Sequence, residues 1–166
     1  MKKIKTYRMP ISRVFPATHP RAGEATHFEY KIRKALGVSC AGRNCKHKIH
    51  TCRSNYQLWK KRIDEVNAGN AVLVLYEWTG NPYRSKTREL FRFDKNSGIG
   101  VQELDMTELE NKYISEANIV DNRAVYADFE TISDNDGLSL KDFREWFKNY
   151  NLSKPMAIIH FTLFRY

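Results

Sequence analysis

"KIHTCRSNYQLWKKRIDEVNAGNAVLVLYEW", residues 48–78, carries a strand, a helix and a second strand in one stretch. Its first six residues hold Ile49, Thr51 and Cys52, side chains that favour extended backbone, and predict a short strand. Ser54 and Gln57 stand at the spacing of a capping box and predict the helix start. Tyr56, Trp59, Ile63 and Val66 then share one helical face, and Gly69 ends it. Residues 71–78 are a nearly continuous apolar run, as expected of a strand buried on both faces.

Upstream, residues 3–15 read as extended, with Pro10 limiting them to a sheet edge or a break. Pro16, Pro20 and Gly23 punctuate a loop. A second capping box, Thr26 with Glu29, opens a helix to about Leu36 whose face is Phe28, Ile32 and Leu36, closed by Gly37. Downstream, "TGNP" (79–82) turns the chain into a returning strand over 83–94, and "KNSG" (95–98) turns it again. Strands are expected within 99–106, 113–120 and 124–129, the last two joined at Asp121-Asn122. Residues 128–136 read as one or two helical turns. Ser139 and Asp142 cap an amphipathic helix with Leu140, Phe143, Phe147 and Tyr150 on one face and Trp146 beside it. Lys154-Pro155 breaks it, and a last strand runs through His160, a core histidine with its ring satisfied, to the end. Strands with interspersed helices and no βαβ alternation predict an α+β domain around a curled antiparallel sheet. A chain of 166 residues buries one core and is too short to favour two.

The net charge of +9 is concentrated. Residues 1–62 hold sixteen Lys/Arg against Glu24 and Glu29 alone, whereas residues 63–166 are net acidic. Such a half argues for a polyanionic partner, nucleic acid above all. No apolar run is long enough to span a bilayer, and the basic start "MKKIKTYRMP" lacks the apolar stretch of a signal peptide. With three cysteines, this predicts a cytoplasmic protein without disulfides and without a membrane partner.

Cys40, Cys45, His47, His50 and Cys52 lie within thirteen residues and are the ligand types zinc prefers. They lack a paired C-x2-C knuckle, and Arg43, Lys46, Lys48 and Arg53 stand among them with no carboxylate. The expectation is therefore no metal and no cofactor. Alternation of the same strand puts Thr51 and Arg53 on one face and His50 and Cys52 on the other. Lys48 joins Thr51 only if the backbone bends or its side chain curls over. A hydroxyl beside two cations suits gripping a phosphate or activating an oxygen nucleophile.

The pattern Lys48-x-x-Thr51-x-Arg53, a capped helix start with Trp59, a buried strand, and a later Asp136-Gly137-Leu138-Ser139 leading into a helix together resemble the ASCH family of PUA-like domains, over roughly residues 44–166. Residues 1–43 would be the first strand plus a family-variable loop–helix insertion spanning about 10–45. The resemblance implies a β-barrel-like sheet flanked by helices, with a cleft for RNA or a modified nucleoside. It also implies two alternatives to plain binding: ribonuclease activity, or amidohydrolase activity on acetylcytidine. In the latter, Lys48 would be the base, Thr51 the nucleophile and Asp136 the assisting acid, although the family has Glu where this chain has the shorter Asp136. As a binding module the same cleft would use Lys46, Lys48, Thr51 and Arg53 on phosphates, with Trp59 or Tyr83 stacking on a base. The spacing of Trp59 with Ile63 and Val66 equally fits a core position.

Overall fold

A computed structural model describes residues 4–38, 46–110 and 118–166. The elements are β1 (Lys5–Pro10), α1 (Phe28–Ala35), β2 (His50–Ser54), α2 (Tyr56–Asn67), β3 (Ala71–Trp78), β4 (Thr87–Phe93), β5 (Gly100–Leu104), β6 (Asn118–Val120), β7 (Arg123–Val125), α3 (Phe129–Asn135), α4 (Leu140–Phe147) and β8 (Met156–His160). The class is α+β, as the pattern predicts.

The sheet is not the single antiparallel one expected. The described strands form two sheets, of order β1-β3-β4 and β2-β8-β5-β6-β7, and neither closes into a barrel. The first contains a parallel pair, β1 on β3, with Lys5 opposite Ala71 and Pro10 opposite Tyr76. A parallel pair needs a long crossover, and here the chain between the two strands supplies α1, β2 and α2. Pro10 sits on the edge strand, where its missing N–H costs no ladder bond. The second sheet is antiparallel throughout, with β8 running between β2 and β5.

One apolar core joins both sheets. It holds Leu73, Leu75 and Phe93 of the first sheet, Leu104, Met156 and Ile158 of the second, and Ile32, Ile63, Val66, Phe143 and Phe147 from the helices. The loop before α1 is fastened to α4: Phe15 meets Trp146 edge-on at 5.8 Å, and Arg21 bonds Asp142 at 2.8 Å. No described helix is long and apolar enough to cross a membrane.

Helix starts separate local signals from tertiary ones. Ser139 caps α4 as expected, accepting from the Asp142 N–H at 3.1 Å. Ser54 does not cap α2; Asn55 does, in a left-handed conformation (φ 64°), accepting from the Leu58 N–H. Asn tolerates that conformation and its short amide reaches the orphan donor. Thr26 donates to the carbonyls of Ser12 and Arg13 and accepts the Phe28 N–H at 3.3 Å, while His27 takes the N-cap position of α1 without a side-chain cap. Asp121 and Asn122, both at positive φ, make the tight turn between β6 and β7.

Candidate functional site

β2 follows an irregular approach at residues 46–49. The Ile49 N–H donates to Asn135 O at 2.9 Å, and the Lys48 N–H to Lys31 O at 3.1 Å, fixing this approach between α1 and the end of α3. Gly137 makes the contact possible. Its φ of +78° suits glycine, and a Cβ there would stand 3.1 Å from Lys48 Cβ and 3.4 Å from His47 O.

The approach delivers the Lys48 side chain inward, where it is 1% exposed and among the most buried in the molecule. Its ammonium donates to the Asp136 carboxylate and, at 2.7 Å, to the Asp136 carbonyl. The Phe28 ring lies 4.2 Å beneath it. The other Asp136 oxygen accepts the Cys52 N–H at 2.8 Å. Burial pulls the Lys48 pKa below its ordinary value, against the opposing pull of Asp136. Burial thus favours the neutral amine of Lys48 more than water does for a surface lysine.

Lys48, Thr51, Arg53 and Asp136 line one cleft, walled by Phe28, Leu138, Phe147 and the half-exposed Tyr150. The enclosed space is about 20 Å³, room for about one water. The Thr51 hydroxyl makes no hydrogen bond among the described residues. Arg53 donates through Nη2 to Pro10 O at 2.5 Å, while its Nε is buried without a partner among the described residues. An unpaired hydroxyl and an unpaired guanidinium N–H are the groups that a ligand carbonyl or oxyanion would satisfy.

Other expected site residues lie elsewhere. Lys46 is exposed and ion-pairs with Asp134. Trp59 is 8% exposed and belongs to the core, so no base can stack on it; the periodicity with Ile63 and Val66 decides its place. Tyr83 is 88% exposed on the β3–β4 hairpin, outside the cleft lining. Sequence reasoning missed Phe28 as the floor under Lys48, although its position on the apolar face of α1 marked it as buried.

Alternation predicts that His50 and Cys52 face away from Thr51, yet Cys52 lines the same cleft and both residues meet Asp136. His50 Nδ1, Cys52 Sγ and an Asp136 oxygen lie within 4.8 Å of one another. The Asp136 oxygens are already engaged by Lys48 and the Cys52 N–H, and the ammonium beside them opposes a dication. Burial holds the Cys52 thiol well above its ordinary pKa, hence protonated. Cys40 and Cys45 lie outside the described residues. His160 is fully buried as expected but not satisfied, since both its ring nitrogens lack a partner among the described residues, and burial lowers its pKa to about 3. His50 Nε2 meets the Tyr166 hydroxyl at 2.7 Å, which also accepts from Asn135 at 2.8 Å.

Comparison of the chain with protein-family models, with curated proteins and with solved structures finds no match.

Proposed function

We propose that the cleft is a hydrolase-type site for an acylated nucleoside, as the resemblance to the ASCH family implies, rather than a groove for an RNA backbone. One observation carries this reading: a buried ammonium of lowered pKa and its carboxylate share a cleft with an unbonded threonine hydroxyl. A phosphate-binding role for Lys48 and Lys46 is poorly served by this geometry, because each is paired with an aspartate.

In the proposed reaction, neutral Lys48 takes the Thr51 proton as Thr51 Oγ adds to the acyl carbon. Arg53 Nε–H stabilises the oxyanion. The carbon–nitrogen bond then breaks, and the amine leaves with the proton held by Lys48. Water releases the acyl group from Thr51, giving the free acid. Asp136 positions the lysine through the contacts described above. The enclosed space admits the acyl carbonyl only, so the nucleoside ring rests at the mouth against Tyr150.

Acetate release from acetylcytidine tests the reading. Wild type should turn over, with a rate that rises with pH as Lys48 deprotonates. Thr51→Ala should lose about a hundredfold or more, the scale on which a single catalytic group acts. Equal rates in both proteins, or none in wild type, would sink it.

A further inference from the structure

The cleft holds one charge more than its own residues balance. Three of its lining side chains are ionic: Lys48, Asp136 and Arg53. Lys48 and Asp136 cancel as a buried ion pair. Arg53 forms no ion pair among the described residues. Its Nη2 is used on the neutral Pro10 carbonyl, and its buried Nε–H meets no acceptor among those residues. Two residues back along β2, Thr51 is 5% exposed and its hydroxyl is unbonded among the described residues. A cation drawn out of water without a counter-charge is unfavourable, and so is an N–H without an acceptor. One anion relieves both, taking the Arg53 N–H on one oxygen and the Thr51 O–H on another.

We infer that the cleft binds a small monocarboxylate, formate or acetate, between Arg53 and Thr51. A single unbalanced positive charge calls for a monoanion, and a dianion would leave a buried negative charge in its place. The enclosed space of about 20 Å³ takes about one water-sized atom, too little for the tetrahedron of a phosphate or sulfate. A flat carboxylate can set one oxygen inside and keep its hydrogen or methyl group toward the mouth, where Leu138, Phe147 and Tyr150 offer apolar surface. Chloride fills the space but has no second acceptor atom to divide between guanidinium and hydroxyl. In one respect the inference rests on the hydrolase reading: the ion would then be the acid that reaction releases, lodged where the oxyanion forms, so that product competes with substrate. Binding itself needs only the unbalanced charge and the two unpaired donors.

Saturation-transfer NMR on the acetate methyl and the formate proton tests it, using the full chain at constant ionic strength. Wild type should give a saturable signal for each ion. Thr51→Val keeps the shape of the side chain and removes the hydroxyl; it should weaken binding about tenfold or more, the scale of one hydrogen bond to a charged group. Arg53→Gln should abolish saturation. Lys60→Gln, which removes an exposed cation paired with Asp64 on α2, should bind as wild type does. Unchanged affinity in Thr51→Val would overturn the assignment. So would an equal loss in Lys60→Gln, or displacement of acetate by an equal concentration of chloride or sulfate. Acetate binding without acetylcytidine turnover would sink the hydrolase reading and leave this inference standing. Turnover that acetate does not inhibit would do the reverse.

Discussion

The corner where Lys48 meets Asp136 and the outer face of the three-stranded sheet, where Arg8 covers Tyr76, use the same ingredients in opposite ways. Each sets a cation against an aromatic ring at 4.2 Å: Lys48 over Phe28, Arg8 over Tyr76. In the corner the cation is sealed from water, so it must have a carboxylate, and its charge becomes a tunable chemical property. On the sheet face water screens the cation, so it needs no carboxylate and stays available to an outside partner. Burial, more than residue type, decides whether a positive charge in this basic chain does chemistry or binding.

Removing the charge in each place is the sharpest way to break the comparison. Lys48→Met leaves Asp136 buried without its counter-charge and should cost about 3–5 kcal/mol in chemical denaturation. Arg8→Gln should cost below about 1 kcal/mol. Similar losses at the two sites would mean that Lys48 is hydrated in solution. Acid should act on the buried side alone. His160 has a pKa of about 3 in the fold against 6.5 when exposed, so the unfolded chain takes up its proton first. Its contribution is whole above pH 6.5 and drains away as pH falls toward 3, by up to about 1.4 kcal/mol per pH unit. The His50 pKa is also depressed by burial and steepens the same fall. Urea titrations between pH 8 and 4 follow this, and His160→Phe should flatten the curve. The smallest effect belongs to the open face: Tyr83→Asn relieves a left-handed tyrosine (φ 62°) and should raise stability by about 1 kcal/mol or less. A net loss there would show that its ring contact with Trp78 outweighs the strain.

Local patterns foretold much of the fold. β3 spans residues 71–78 as its apolar run requires, α4 starts at its Ser139 cap, and Asp121-Asn122 turns between β6 and β7. The division into two sheets and the parallel β1–β3 pair were not legible, because alternation tells which face a residue takes and not which strand lies beside it. Thr26 shows the same limit at one residue: an N-cap by spacing, it stands one residue before the N-cap His27 and is tied to the carbonyls of Ser12 and Arg13, which no local spacing shows. Lys48, Thr51 and Arg53, which the spacing singles out, line one cleft, and Asp136, named only through the family resemblance, lines it too. That Asp136 serves both faces of β2, bonding Lys48 and the Cys52 N–H, depends on how α3 ends against the strand, which no local spacing encodes.

Time of synthesis adds a last consequence. Lys48 precedes Asp136 by 88 residues, and the sheet partner of β2, β8, is made later still. At roughly 5–20 residues per second a ribosome needs about 4 to 18 seconds to close that gap. Throughout it the nascent lysine stays hydrated and β2 keeps both edges open. The corner therefore cannot close before Asp136 has emerged, and a ribosome-stalled fragment ending before residue 136 should display an accessible Lys48 that the folded protein hides.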